Sequence, residues 1–281
     1  MRELLTADDL FAHLMILRGV SNKRFILVEG DDDFGMIDPH LDEKVCETLP
    51  TGGKSVVLRA AEIAQEQGVT GVGVVLDLDW ADLLYPRFQR SYVFYTDFYD
   101  IDATAFAPRQ SVIGVITNSV KREKLRECAQ DGMGSLLESI VEAAKFVGIL
   151  RFLSERNRWE LHLRDFPVHL VIGEGFHIDL DRLASVVMQR SPRAQIEIEI
   201  LLSRLKEESL KVHDSYRYCS GHDLLAATAA IIRKIGGQVS SKSVGASLRS
   251  AFSCHDVSSS KLFSDIANWG QSQGVKLLTC T

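Results

Sequence analysis

The sequence predicts an α/β protein: a parallel sheet flanked by helices, followed by a mainly helical region with a small strand insertion. Three observations carry this expectation. Short apolar runs alternate with helix-spaced stretches through the first half of the chain, as in strand–helix–strand units. Those runs are apolar throughout, which suits strands covered on both faces of a parallel sheet. Beyond residue 116, helical spacing dominates.

The elements follow in order. Residues 24–28, RFILV, form a first strand and end in Glu-Gly-Asp-Asp-Asp. Residues 31–37 open a helix, because acidic side chains favour a helix N-terminus. Residues 46–49 form a second strand and Thr51-Gly-Gly-Lys a turn. Residues 55–67 carry apolar side chains at 57, 60, 61 and 64, a helical spacing that Gly68 stops. Residues 72–77 and 92–95 are the third and fourth strands, and 100–106 a further helix. In the second half, 121–146, 179–189, 194–211, 222–235, 243–252 and 260–271 are expected as helices. The apolar runs 149–154, 159–163 and 168–172 are expected as the strand insertion. A boundary is expected between a catalytic domain, 1–115, and a helical region, 116–281, used for substrate binding, dimerisation or partner docking.

Composition narrows the function. With 281 residues, 46% hydrophobic and 25% charged, the chain is neither disordered nor a fibrous repeat. No apolar run approaches the roughly 20 residues of a membrane helix. The start, MRELLTADDLFAHL, has no signal-peptide core. The five cysteines are scattered without a CxxC, and reduced thiols in a cytoplasmic protein are expected. Charge is uneven. Residues 1–115 hold 19 acidic against 10 basic side chains, net −9, and the rest hold 19 against 22, net +3. A carboxylate-rich half beside a mildly basic half suits a metal site with an anion-holding surface, and equally two solvated faces.

In a parallel α/β sheet, functional groups gather at the carboxyl ends of the strands. Glu29 with Asp33 stands after the first strand, and Asp77-Leu78-Asp79 with Asp82 after the third. Strand alternation predicts Asp77 and Asp79 on one side with Leu78 opposite. Carboxylates held that close favour a cation between them, and an all-oxygen site suits Mg²⁺ or Mn²⁺. Gly30 is expected to turn the chain sharply.

Glu29-Gly30 and Asp77-x-Asp79 in this setting resemble the TOPRIM fold of topoisomerases, primases and OLD-type nucleases. The segments ILVEGDDDFGMI, VVLDLDWAD, YVFYTDFYDIDATAF and SGHDLLAA are similar to a TOPRIM-like nuclease family of prokaryotic anti-phage operons, which includes the effector of the PARIS defence system. The likeness covers about the first 107 residues and returns at SGHDLL. It implies a dimeric, metal-dependent nuclease that cuts RNA, tRNA before DNA. Such a toxic effector is held silent by an ABC-type ATPase. It further implies Glu29, Asp77 and Asp79 as ligands of two ions, with Asp33 added and Asp82 outside them. Asp100 or Asp102, His222 and Lys54 are substrate-side candidates. Asp100 reads equally as a helix cap, His222 as a packing histidine and Lys54 as a solvated turn residue. Tyr92, Tyr95 and Tyr99 offer stacking surfaces, although packing suits Tyr92 and Tyr95 better. The basic run Lys121, Arg122, Lys124, Arg126 offers phosphate contacts or a solvated helix face.

Three alternatives use similar residues. A phosphoacceptor receiver needs Ser or Thr after its fourth strand, which Thr96 supplies, and a Lys-Pro after the fifth, which the chain lacks. A haloacid-type phosphatase needs Thr or Val where Ala81 stands. A non-cleaving TOPRIM module would bind nucleic acid or a partner without turnover. A P-loop is excluded at Gly53-Lys54, because the Gly required five residues earlier is Thr48.

Overall fold

The computed structural model describes residues 6–129 and 132–280. The elements in order are α1 (Ala7–Val20), β1 (Arg24–Val28), α2 (Asp31–Ile37), β2 (Cys46–Pro50), α3 (Lys54–Glu66), β3 (Val72–Leu76), β4 (Val93–Tyr95), α4 (Ile101–Phe106), α5 (Arg109–Ser119), α6 (Arg122–Cys128), α7 (Met133–Asn157), α8 (Leu180–Arg190), α9 (Ile198–Ser209), α10 (Gly221–Lys234), α11 (Ser241–Ala251), α12 (Cys254–Ser259) and α13 (Lys261–Ser272). The expected α/β class and helical second half are both present.

The chain divides into two compact units, Met1–Ile101 with Phe252–Thr281, and Asp102–Ala251. The division differs from the expected cut near residue 115, because the C-terminal segment returns to the sheet. Leu41 and Leu278 form an antiparallel bridge, and the Thr279 amide donates to the His40 carbonyl at 2.9 Å. The Asp97 carboxylate accepts from the Leu262 amide at 2.7 Å, at the start of α13. A linear reading of charge and proline cannot see such a return.

The first unit holds one sheet in the order β2-β1-β3-β4, with every pairing parallel. One face buries Phe25, Leu27, Val74 and Leu76 with Val57, Ala60, Ala61 and Ala64 of α3 and Leu10 and Leu14 of α1. Full burial of a side chain such as Phe25 or Leu27 stabilises by about 1.5–3 kcal/mol. The α3 residues are the four that the spacing picked out. The sequence reading assigns nothing before residue 24, yet α1 is there, started by a reciprocal Thr6–Asp9 cap. At β3 and β4, Phe94 meets Trp269 of α13 edge-on at 5.7 Å.

The second unit is helical. Its expected strand insertion is not found. Residues 149–154 lie inside the 25-residue α7, 159–163 have no regular structure, and Val168–Leu170 is a short 3-10 turn. The run FVGILRF misleads because α7 is buried nearly all round, which removes the polar face that marks a helix. Gly148 explains the tight packing of α7. A methyl group there would sit 1.8 Å from the Tyr218 carbonyl oxygen.

The expectation of five reduced cysteines is also corrected. Cys254 and Cys280, 26 residues apart, form a disulfide, while Cys46, Cys128 and Cys219 remain thiols. The pairing follows from the return of the C-terminal segment. Among the described residues, no helix is long and apolar enough to cross a membrane.

Candidate functional site

The register of the sheet builds the site. β1 and β3 are parallel neighbours with Leu27 opposite Val74. Continuing that register sets Glu29, just past β1, beside the Leu76–Asp77 peptide just past β3. The Glu29 Oε1 accepts a hydrogen bond from the Asp77 amide at 3.0 Å. Asp77 Oδ1 in turn accepts from the Ile101 amide at 3.2 Å, the first residue of α4. Asp33, one helical turn into α2, is buried and points back to the strand end, where its Oδ2 accepts from the Gly30 amide at 2.8 Å. Gly30 itself is extended (φ −153°, ψ −173°), and the chain bends at Glu29–Gly30 between β1 and α2.

The Asp-x-Asp segment does not follow the pleat. β3 stops at Leu76, and Asp79 has left-handed backbone (φ 43°), a region in which Asp is enriched. Strand alternation therefore does not aim these two acids. Loop anchors do. The Leu78 amide donates to Thr96 Oγ1 at 2.9 Å, and the Asp79 amide to the Tyr99 carbonyl at 2.8 Å. Lys54 meets the loop from the first residue of α3. Its Nζ donates to Asp79 Oδ2 at 2.7 Å and to the Asp77 carbonyl at 2.8 Å. Gly53, with φ 109°, supplies the left-handed turn that starts α3 at Lys54. Lys54 is thus a counter-charge to the acids, not a solvated turn residue.

The electrostatics are strained by burial. Burial pushes Asp77 well above the ordinary carboxylate range, and the charges of Asp100, Asp33, Glu29 and Asp79 push the same way. Burial raises Asp33 to about 7, against a hydrogen bond from the Gly30 amide that favours the anion. Glu29 is raised by burial, opposed by the Asp77 amide and by Lys54. For Lys54, burial acts downward, but the bond to Asp79 and the surrounding carboxylates outweigh it and hold the ammonium above its usual range. The cluster is therefore richer in carboxyl groups than Lys54 alone balances.

The other expected residues have different partners. Asp82 has left-handed backbone and forms an ion pair with Arg87. Asp100 adds its charge to Asp77, whose carboxylate is the one bonded to the first amide of α4. Asp102 lies in the second unit, paired with Arg249. His222 is exposed there, with Nε2 3.5 Å from Asp165 Oδ1. In the SGHDLL segment the engaged residue is Asp223. It is fully buried and takes a bidentate pair from Arg151 at 2.9 and 3.0 Å and a bond from Ser220 Oγ at 2.9 Å. That segment clamps α10 to α7. Tyr99 packs edge-on against Trp80, Tyr92 packs at the margin of the α1–α3 core, and Tyr95 is half-buried. The basic run 121–126 is exposed at α6.

Among the described residues, no three His, Cys, Asp or Glu side chains stand as a ready-made metal cage. The donor set nevertheless fits a hard divalent cation. Its side-chain donors are all oxygen and crowded together. Glu29, Asp33, Asp77 and Asp79 are the side chains that would hold one. No family model and no curated protein matches the chain. Two contributors to the site carried little signal in the sequence. Thr96 was legible only as a residue after β4, and the Lys54–Asp79 pair is a contact between the start of α3 and the loop after β3.

Proposed function

We propose that this chain is a TOPRIM-like, metal-dependent endonuclease that hydrolyses phosphodiester bonds, in RNA and tRNA before DNA. One observation carries the reading: the Glu29 carboxylate and the Asp77 amide are hydrogen-bonded at adjacent strand ends, with Asp33 bonded to the Gly30 amide and Asp79 to Lys54 beside them. The pattern of Glu after the first strand and Asp-x-Asp after the third is the one that the sequence resemblance rests on. The roles of toxic anti-phage effector, ABC-type ATPase partner, homodimer and cytoplasmic location rest on that resemblance alone.

The chemistry that a pair of Mg²⁺ or Mn²⁺ ions supplies at such a site is activation of a water and relief of charge on the leaving oxygen at phosphorus. The chain's own residues prepare for it. Glu29, Asp33, Asp77 and Asp79 concentrate negative charge at one edge of the sheet. Burial leaves Asp33 and Asp77 prone to hold protons, which cation binding would release. Lys54 keeps Asp79 and the Asp77 carbonyl in place, and Thr96 pins the loop between the two acids.

The same contacts weigh against the receiver alternative. The Thr96 hydroxyl donates to the Phe98 carbonyl at 2.9 Å, accepts from Leu78 and is buried, so it is committed to holding the loop. A cleavage assay on total tRNA and on plasmid DNA tests the proposal. It uses Mg²⁺ or Mn²⁺ with an EDTA control. Metal-dependent cutting of tRNA that Glu29→Ala and Asp77→Ala both abolish is the expected result. Cutting that survives both substitutions would contradict it, and metal binding with no cutting favours a non-cleaving module.

A further inference from the structure

The loop between β3 and β4 also walls a cleft of about 580 Å³ within the first unit. Leu78, the residue between the two site aspartates, lines it, and so does Thr96, which holds the Leu78 amide. The cleft is thus continuous along the chain with the carboxylate cluster. Its other walls are of a different character. Arg87, Phe88 and Arg90 line it from the loop, Tyr95 from the end of β4 and Lys261 from the start of α13.

Cations and rings alternate here. The Arg90 guanidinium lies 4.7 Å from the Phe88 ring centroid, and that of Arg87 lies 5.4 Å from the Tyr95 centroid. Tyr95 is held in place, because its Oη accepts from the Phe88 amide at 2.9 Å. Acids are present too. Asp97 is bonded to the Leu262 amide, Asp265 to Lys261, and Asp82 to Arg87. Three basic side chains stand among three acids here, Arg87 paired with Asp82 and Lys261 with Asp265, beside a cluster made mostly of carboxylates.

Guanidinium and ammonium groups beside aromatic rings match one ligand chemistry well: phosphates joined to bases whose faces are open. Stacking needs an unpaired base, since a duplex hides its base faces from side chains. We infer that this cleft binds an unpaired stretch of nucleic acid through Arg87, Phe88, Arg90, Tyr95 and Lys261 and leads its backbone toward the Asp77–Asp79 loop. The inference rests on the nuclease reading for what happens at the carboxylates, but the binding stands without it. The five residues act by positioning the strand.

Fluorescence anisotropy with the full chain in EDTA tests it. The probes are a labelled unpaired oligoribonucleotide and the same sequence as a duplex. The unpaired probe is expected to bind at least about tenfold more tightly. Arg90→Ala and Lys261→Ala, both at exposed positions, should each weaken binding and lower the salt slope by about one. Phe88→Ala should weaken it about tenfold while leaving the salt slope unchanged. Arg204→Ala, in the second unit, is the control and should bind as wild type. Equal binding of duplex and unpaired probes, or unchanged binding by the Phe88 and Arg90 variants, overturns the inference. If tRNA is cut normally by variants that bind normally, this inference fails and the nuclease stands. If unpaired RNA binds through these residues but nothing is ever cut, the reverse holds.

Discussion

The Glu29 carboxylate accepts a hydrogen bond from the amide of Asp77 at 3.0 Å, across 48 residues of chain. Parallel pairing of β1 with β3 is what closes that distance. The bond satisfies one oxygen of a half-buried acid, while Lys54 bonds Asp79. The candidate site is therefore a property of strand order, and it disappears if β1 and β3 are not neighbours.

Lys54 is the cation that relieves this cluster. Lys54→Met removes it, so the variant should have a lower melting temperature than wild type in EDTA. It should gain more on adding Mg²⁺, since the acids then depend on the added cation. Thermal unfolding of both proteins with and without Mg²⁺ checks this. An equal Mg²⁺ gain in the two proteins would contradict it.

Asp33 predicts a pH effect with a defined sign. Its folded-state value of about 7 lies above the ordinary 3.8. Between those values the folded state binds more protons than the unfolded state, so this contribution to stability is lost as pH rises from about 4 to about 7. The quantity to follow is the stability difference between wild type and Asp33→Asn in EDTA. It should shift against wild type across that window, and a flat difference would contradict it.

Asp223 predicts a structural effect. Removing its carboxylate leaves Arg151 without its bidentate partner beside a buried site. Asp223→Ala should cost about 3–5 kcal/mol in urea unfolding. A loss below about 1 kcal/mol would mean that the clamp between α7 and α10 matters little.

The Cys254–Cys280 disulfide closes a 26-residue separation in the C-terminal segment. Cys280→Ser should lower stability by about 2–4 kcal/mol under non-reducing conditions. Under dithiothreitol the variant and wild type should coincide. A difference that persists in reductant would assign the effect to the serine.

How much of this was legible in sequence follows from range. The strands, α3 and the pairing of Glu29 with the Asp-x-Asp segment rest on local patterns, and these were readable. The aim of Asp79 was not, because it depends on Thr96, Tyr99 and Lys54, which lie 17 or more residues away in the chain. The disulfide and the return of α13 to β4 are likewise contacts between distant segments. The strand insertion was misread for a different reason: a helix buried nearly all round shows little of the polar stripe that identifies it. The SGHDLL segment was picked out by resemblance and offered His222 as a candidate, but its engaged residue, Asp223, holds two helices together.

Glu29, Asp33, Asp77 and Asp79 are proposed to form a divalent-cation site. Calorimetric titration of Mn²⁺ into the intact chain at neutral pH tests it most directly. Saturable binding accompanied by proton release, lost in both Glu29→Gln and Asp77→Asn, is the expected result. Binding that is absent in wild type, or unchanged in those two variants, would contradict it.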